Sequence, residues 1–146
     1  MIQMDSFEET LQCCGVLIYG NKGNSMFPLI KEGRDKIIIV PKGSGRLKKY
    51  EVPLYRRDNG KYVLHRVMKV RAADYLICGD NRSFLEPGIT DSHIIGVMSG
   101  VIRKGKTIEV TDWRYRLYVA LWCWTIPFFI RRVFLKIYSV VFRLFR

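Results

Sequence analysis

At 146 residues the chain has room for one ordinary core and an appendage, which excludes two independent domains of usual size. Its 25 Lys and Arg against 13 Asp and Glu give a formal charge of +12, a balance that points to an acidic partner, either nucleic acid or anionic lipid. Four cysteines, Cys13, Cys14, Cys78 and Cys123, have neither the density of a disulfide scaffold nor paired metal-ligand spacing, so buried free thiols without a metal or cofactor are expected.

The opening MIQMDSFEET is acidic and polar, without the positive and apolar regions of a secretory signal, so export by an N-terminal signal is not expected. Between residues 11 and 110 the apolar runs are short, rich in Val, Ile and Tyr, and separated by Gly, Pro and Asn. That pattern predicts strands: Gly15–Tyr19, Lys36–Pro41, Glu51–Arg56, Tyr62–Arg71, Tyr75–Cys78, Ile94–Ile102 and Thr107–Val110. Asp58-Asn59-Gly60 and Lys104-Gly105 read as hairpin turns, because Asn and Gly supply the positive φ that tight turns need. The result is a mainly β, antiparallel domain over residues 1–112. Pro53 inside a strand predicts an edge or a bulge, since proline cannot donate to a ladder.

From Trp113 onward the composition changes to Trp, Phe, Leu and Arg with no Gly, and residues 113–146 read as a helical tail. Residues 1–112 carry 18 basic and 13 acidic side chains, whereas 113–146 carry seven basic ones and no acid. Arg132, Lys136, Ser139, Arg143 and Arg146 recur at spacings of four and three, which places them on one stripe of a helix. The longest charge-free run, Leu117–Ile130, has 14 residues and as a helix reaches only about 21 Å, short of the roughly 30 Å hydrocarbon core. An interfacial helix or hairpin kinked at Pro127 fits better, with Trp113, Trp122, Trp124, Arg132, Lys136, Arg143 and Arg146 contacting anionic lipid. Nucleic acid is not expected, because an aromatic-rich apolar face lacks the hydrogen-bonding groups that base or phosphate recognition needs.

Three segments carry candidate chemistry. Gly23-Asn24-Ser25-Met26-Phe27-Pro28 presents a serine at a corner that Pro28 must turn. Tyr62-Val63-Leu64-His65-Arg66-Val67 puts a histidine in a β run whose alternation sends Val63, His65 and Val67 to one face. Gly79-Asp80-Asn81 follows the strand Tyr75–Cys78, with Glu86 six residues beyond Asp80. A serine hydroxyl is a poor nucleophile at neutral pH, and a neutral imidazole within reach can take its proton.

In this order, Gly-x-Ser-Met-x-Pro, His-Arg-Val and Gly-Asp-Asn with a further acid resemble the signal peptidase I superfamily, in the Ser-His branch of the endoplasmic-reticulum and archaeal signal peptidases. Ile94-Ile95-Gly96 is similar to the Val-Gly strand that follows Gly-Asp-Asn there. The SOS-repressor proteases share that fold but use Lys where this branch uses His. The resemblance implies a strongly bent antiparallel sheet of the signal-peptidase and SOS-repressor protease type, and endoproteolysis after small residues. It makes Ser25 the nucleophile and His65 its general base, with Glu86 preferred over Asp80, and Asp91 third, as the acid that orients His65. Family members with a hydroxyl two residues before the nucleophile use it in the oxyanion hole. Gly23 stands there in this chain, so the Ser25 N–H, helped by Asn24, is expected to hold the oxyanion.

The expected activity is serine endopeptidase cleavage of a leader, signal or precursor peptide at a membrane, the enzyme being peripheral or interfacial and its cytoplasmic side favoured. The alternatives are a self-cleaving or regulatory SOS-repressor-like module, for which Cys14-Gly15 resembles a cleavable bond, and an inactive membrane-anchored module that binds peptides. The expected partners are the precursor peptide and anionic lipid, with a membrane-protein partner open. His93 reads as a surface residue without strand or acid context.

Overall fold

A computed structural model describes residues 6–125 and 128–144, and of residues 124, 125 and 128–132 the backbone alone. The chain is mainly β, a curled antiparallel sheet followed by C-terminal helix. Helix α1 (Phe7–Cys14) comes first. The Ser6 hydroxyl caps it by accepting the Glu9 N–H at 3.1 Å, and Glu8 and Glu9 lie in its first turn, where carboxylates favour the helix N-terminus. Its one buried residue is Leu11. Cys13 and Cys14 are exposed, so the expectation of core thiols holds for Cys78 and fails for this pair, which sits on the solvent side of a short helix.

The strands are β1 (Leu17–Gly20), β2 (Asp35–Val40), β3 (Pro53–Arg56), β4 (Tyr62–Leu64), β5 (Arg66–Val70), β6 (Tyr75–Cys78), β7 (Glu86–Ile89), β8 (Ile94–Arg103) and β9 (Lys106–Glu109). One sheet runs β1-β2-β8-β3-β4 with β9 also on β8, and a second runs β5-β6-β7. Every pairing is antiparallel. Ten-residue β8 is the spine, serving β2, β3 and β9. Lys104 and Gly105, at φ 50° and 74°, make the two-residue turn into β9, both adopting the left-handed backbone that such a turn requires. Pro53 opens β3, which has β8 and β4 on its two sides. It therefore occupies a first-residue position in an inner strand, with a register shift just after it between Leu54 and Tyr55.

The expected single strand Tyr62–Arg71 is two strands. β4 pairs with β3, Leu64 opposite Leu54, and β5 pairs with β6, Arg66 opposite Cys78. The chain passes from one sheet to the other at His65. The two buried clusters follow this division except that Tyr55, on β3 of the first sheet, packs into the second cluster. One gathers Leu11, Met26, Ile30, Ile37, Ile39, Leu54, Leu64 and Tyr115, among others. The second gathers Leu47, Tyr55, Val67, Tyr75, Ile77 and Ile89.

Helix α2 (Trp113–Val119) starts where the Asp112 carboxylate accepts the Arg114 N–H at 2.8 Å. It is packed on the sheets. Tyr115 belongs to the first buried cluster, and Trp122, in the π-helical turn Ala120–Thr125 that follows, is 9% exposed. The change of composition at Asp112 thus marks the start of a helix and not the end of the packed unit. Trp122 is a correction to the lipid-facing set, because its indole is turned inward; Trp113 is 67% exposed.

Helix α3 (Phe128–Leu144) returns across the molecule, with Phe134 edge-on to Trp122 at 6.5 Å and Tyr138 5.6 Å from Phe27. Val133, Ile137, Val140, Val141 and Leu144 are exposed on it, as are Lys136 and Arg143. Pro127 and Arg146, and the side chains of Trp124 and Arg132, lie outside the described residues. Among the described residues no helix is long and apolar enough to cross a membrane.

Candidate active site

The segment joining β1 to β2 carries Ser25, and buried anchors hold it. Met26 and Ile30 are fully buried, each contributing about 1.5–3 kcal/mol of apolar burial. The Ile30 N–H donates to Met26 O at 2.9 Å. Arg103 donates to Leu29 O at 2.7 Å, and buried Asp35, itself held by Arg103, accepts the Lys31 N–H at 2.9 Å. The Glu32 carboxylate accepts the Gly23 N–H at 3.0 Å. A connection of this length is usually mobile, yet here its middle, residues 25–30, is buried or half-buried, with Ser25 half-buried beside Asn24 in solvent.

The Gly-Asp-Asn turn fastens that tip from the other side. The Asn81 N–H donates to Ser25 O at 2.8 Å and the Asn81 amide side chain to Asn24 O at 3.0 Å. Gly79 is needed for a different reason. A Cβ built on it would lie 2.5 Å from Ser25 O, 2.9 Å from Arg82 Cγ and 3.1 Å from His65 Cδ2, so the space between serine and histidine admits bare backbone alone. Ser25 and His65 are therefore neighbours across Gly79. Among the described residues no hydrogen bond joins the Ser25 hydroxyl to the imidazole.

The opposite edge of the ring meets the acid indirectly. His65 Nδ1 lies 3.3 Å from the Tyr55 hydroxyl, and that hydroxyl donates to Glu86 Oε2 at 2.6 Å. Arg57 grips the same carboxylate through two N–H groups at 2.6 and 2.8 Å. Burial pushes the His65 pKa down to about 4, and Arg57 and Arg82 add to this while Glu86 opposes it, so the imidazole is neutral at pH 7 and able to accept a proton. Burial works to raise the Glu86 pKa, but hydrogen bonds from Arg57 and Tyr55 outweigh it and keep the carboxyl below its ordinary value. Burial, followed by the Glu86 hydrogen bond, pushes the Tyr55 hydroxyl well above its ordinary range.

Asp80 has different company. Arg66 Nε and Nη2 each reach it at 2.8 Å, both side chains being fully buried. Tyr118 donates to its carboxylate at 2.9 Å, and the Trp122 indole donates to its carbonyl at 3.1 Å. Arg66 also donates to Tyr50 O at 2.9 Å and Tyr115 Oη at 3.1 Å. The side chain of Asp80 thus serves the seat of α2, while Glu86 is the acid on the histidine's own network. Asp91 is held by Tyr75 at 2.5 Å and Arg46 at 3.3 Å. His93, read from sequence as lacking an acid, has one: its Nε2 lies 3.0 Å from Asp58, and its Nδ1 accepts the Thr90 N–H at 3.0 Å.

Sequence reasoning missed Tyr55, Arg57 and Asn81 as members of this site. Only Asn81 had a legible signal, its place in the Gly-Asp-Asn box. Among the described residues no cluster of His, Cys, Asp or Glu is arranged to hold a metal. No protein-family model matches the chain, and no curated protein matches it at a meaningful level of similarity.

Proposed function

We propose that the chain is a serine endopeptidase of the signal-peptidase type, which cuts a leader or precursor peptide after small residues at a membrane surface. The observation that carries the reading is the convergence of Ser25 and His65 on a Gly79 backbone too confined for a methyl group. The curled antiparallel sheet is in keeping with it. In this mechanism a neutral His65 takes the Ser25 proton as Oγ attacks the scissile carbonyl, then gives it to the leaving amine. Water hydrolyses the acyl-enzyme by the same proton path. The Ser25 N–H, with Asn24 beside it, holds the developing oxyanion. Association with anionic lipid rests on α3, whose exposed apolar residues lie among basic ones with no acid beyond Asp112.

The test is covalent capture. A fluorophosphonate probe, followed by intact-mass and peptide mapping, should modify Ser25 in the full chain, should leave Ser25→Ala unmodified, and should react at least tenfold more slowly with His65→Ala. Modification elsewhere, or none, would remove the reading. A Ser25-dependent cut of the chain itself at the exposed Cys14-Gly15 bond would favour the self-cleaving alternative. In parallel, sedimentation with anionic vesicles should fall more than tenfold for the Lys136→Glu/Arg143→Glu variant, because each basic residue at such a surface is worth about 1 kcal/mol. Unchanged sedimentation would detach the membrane from the proposal.

A further inference from the structure

We infer that Tyr55 is a positioning residue that relays the Glu86 charge to His65 and fixes which ring nitrogen carries the proton. The inference rests on the peptidase reading for its kinetic consequence and on geometry for the rest. A tyrosine hydroxyl has one proton to give. The 2.6 Å bond commits it to Glu86, an anion that Arg57 holds by both oxygens. The Tyr55 oxygen can then only accept from the imidazole, so the contact at 3.3 Å is Nδ1–H donating to Tyr55 Oη. Nε2 is left without a proton. It is bonded to Cδ2, the ring atom that a Cβ on Gly79 would meet together with the Ser25 carbonyl, so the bare nitrogen lies on the Gly79 side of the ring, where the serine-bearing segment also approaches.

The relay differs from a direct carboxylate contact in two ways. The negative charge stands one residue away from the imidazole, which stabilises an imidazolium less, in accord with a histidine that stays neutral into the acid range. The relay is also directional: His65 donates to Tyr55 and Tyr55 to Glu86, which accepts from Arg57 on its other side, and that direction depends on Glu86 being an acceptor only. Tyr55 is fully buried in the second core cluster, so its hydroxyl is held by packing as well as by its hydrogen bonds.

Two measurements test this. Long-range ¹H–¹⁵N correlation on Ser25→Ala, with ¹⁵N-labelled histidine, reports the tautomer at pH 7 without requiring any activity. His65 should carry its proton on Nδ1. Adding Tyr55→Phe should shift the population toward Nε2–H, as should Glu86→Gln: its amide N–H would donate to Tyr55 Oη and turn the phenolic proton round onto Nδ1. With Ser25 intact, a quenched-fluorescent peptide with Ala before the scissile bond should show kcat lower by about 10²-fold or more in either variant, with KM within twofold, since a wrong tautomer alone can cost that much. A proton on Nε2 in the parent, or variants that change neither tautomer nor kcat, would overturn the relay. A correct tautomer with no cleavage by the parent would leave the relay standing and defeat the peptidase reading.

Discussion

Two guanidinium–carboxylate pairs lie on either side of the His65-Arg66 step, and their geometry is almost the same. Arg66 meets Asp80 at 2.8 and 2.8 Å, and Arg57 meets Glu86 at 2.6 and 2.8 Å. Their surroundings differ. The side chains of the first pair are 0% exposed, those of the second 31% and 19%. The Arg66–Asp80 pair has its remaining hydrogen-bonding capacity filled by Tyr50, Tyr115 and Tyr118, which is what a buried ion pair needs if its desolvation is to be offset. The Arg57–Glu86 pair spends its capacity on Tyr55 and, through it, on His65. The same chemistry therefore anchors a helix in one place and orients an imidazole in the other. Adjacent residues on a β backbone point to opposite faces, and this lets His65 join one network while Arg66 joins the other.

The largest way to break the symmetry is Asp80→Asn. Arg66 would be left charged, buried and half-partnered, which should cost about 3–5 kcal/mol in urea unfolding, with Trp122 fluorescence reporting early loss of the α2 seat. Gly79→Ala strikes the space between the two networks. It should cost about 1–3 kcal/mol as an overpacked site, while abolishing reaction of Ser25 with a fluorophosphonate, because serine and histidine must part to admit the methyl. Glu86→Gln should change stability by no more than about 1 kcal/mol, since its pair is reached by solvent. The sign with pH follows from the lowered Glu86 pKa: the parent's advantage is present above the ordinary value of 4.5 and is lost as pH falls through the lower folded value. Parent and variant unfolding curves should therefore differ at pH 6 and converge in stronger acid. If Glu86→Gln proved as damaging as Asp80→Asn, the two pairs would be doing the same job.

The sequence made the ladder visible wherever short Val- and Ile-rich runs were bounded by turn residues. Tyr75–Cys78 is a strand from end to end, and the turns at Asn59-Gly60 and Lys104-Gly105 lie between paired strands. It misled at Tyr62–Arg71, because periodicity records which way side chains point and not which neighbour the backbone bonds to, and at His65 only the neighbour changes. β7 went unseen because Glu86-Pro87-Gly88-Ile89 carries two residues that argue against a strand. α1 went unseen because a short helix with one buried residue leaves almost no periodic trace. In the site, Ser25, His65 and Gly79 stood inside short motifs, whereas Tyr55 and Arg57 lie in an ordinary hairpin and become significant only when β7 is folded beside them.

The bond from the Asn81 amide to Ser25 O gives the protein a built-in gauge of its own readiness. That amide proton exchanges with solvent only when the serine-bearing tip lifts away from the Gly-Asp-Asn turn. One backbone deuterium, followed over time, therefore counts the openings of the candidate site, and a peptide that binds there and holds the tip down must slow the count.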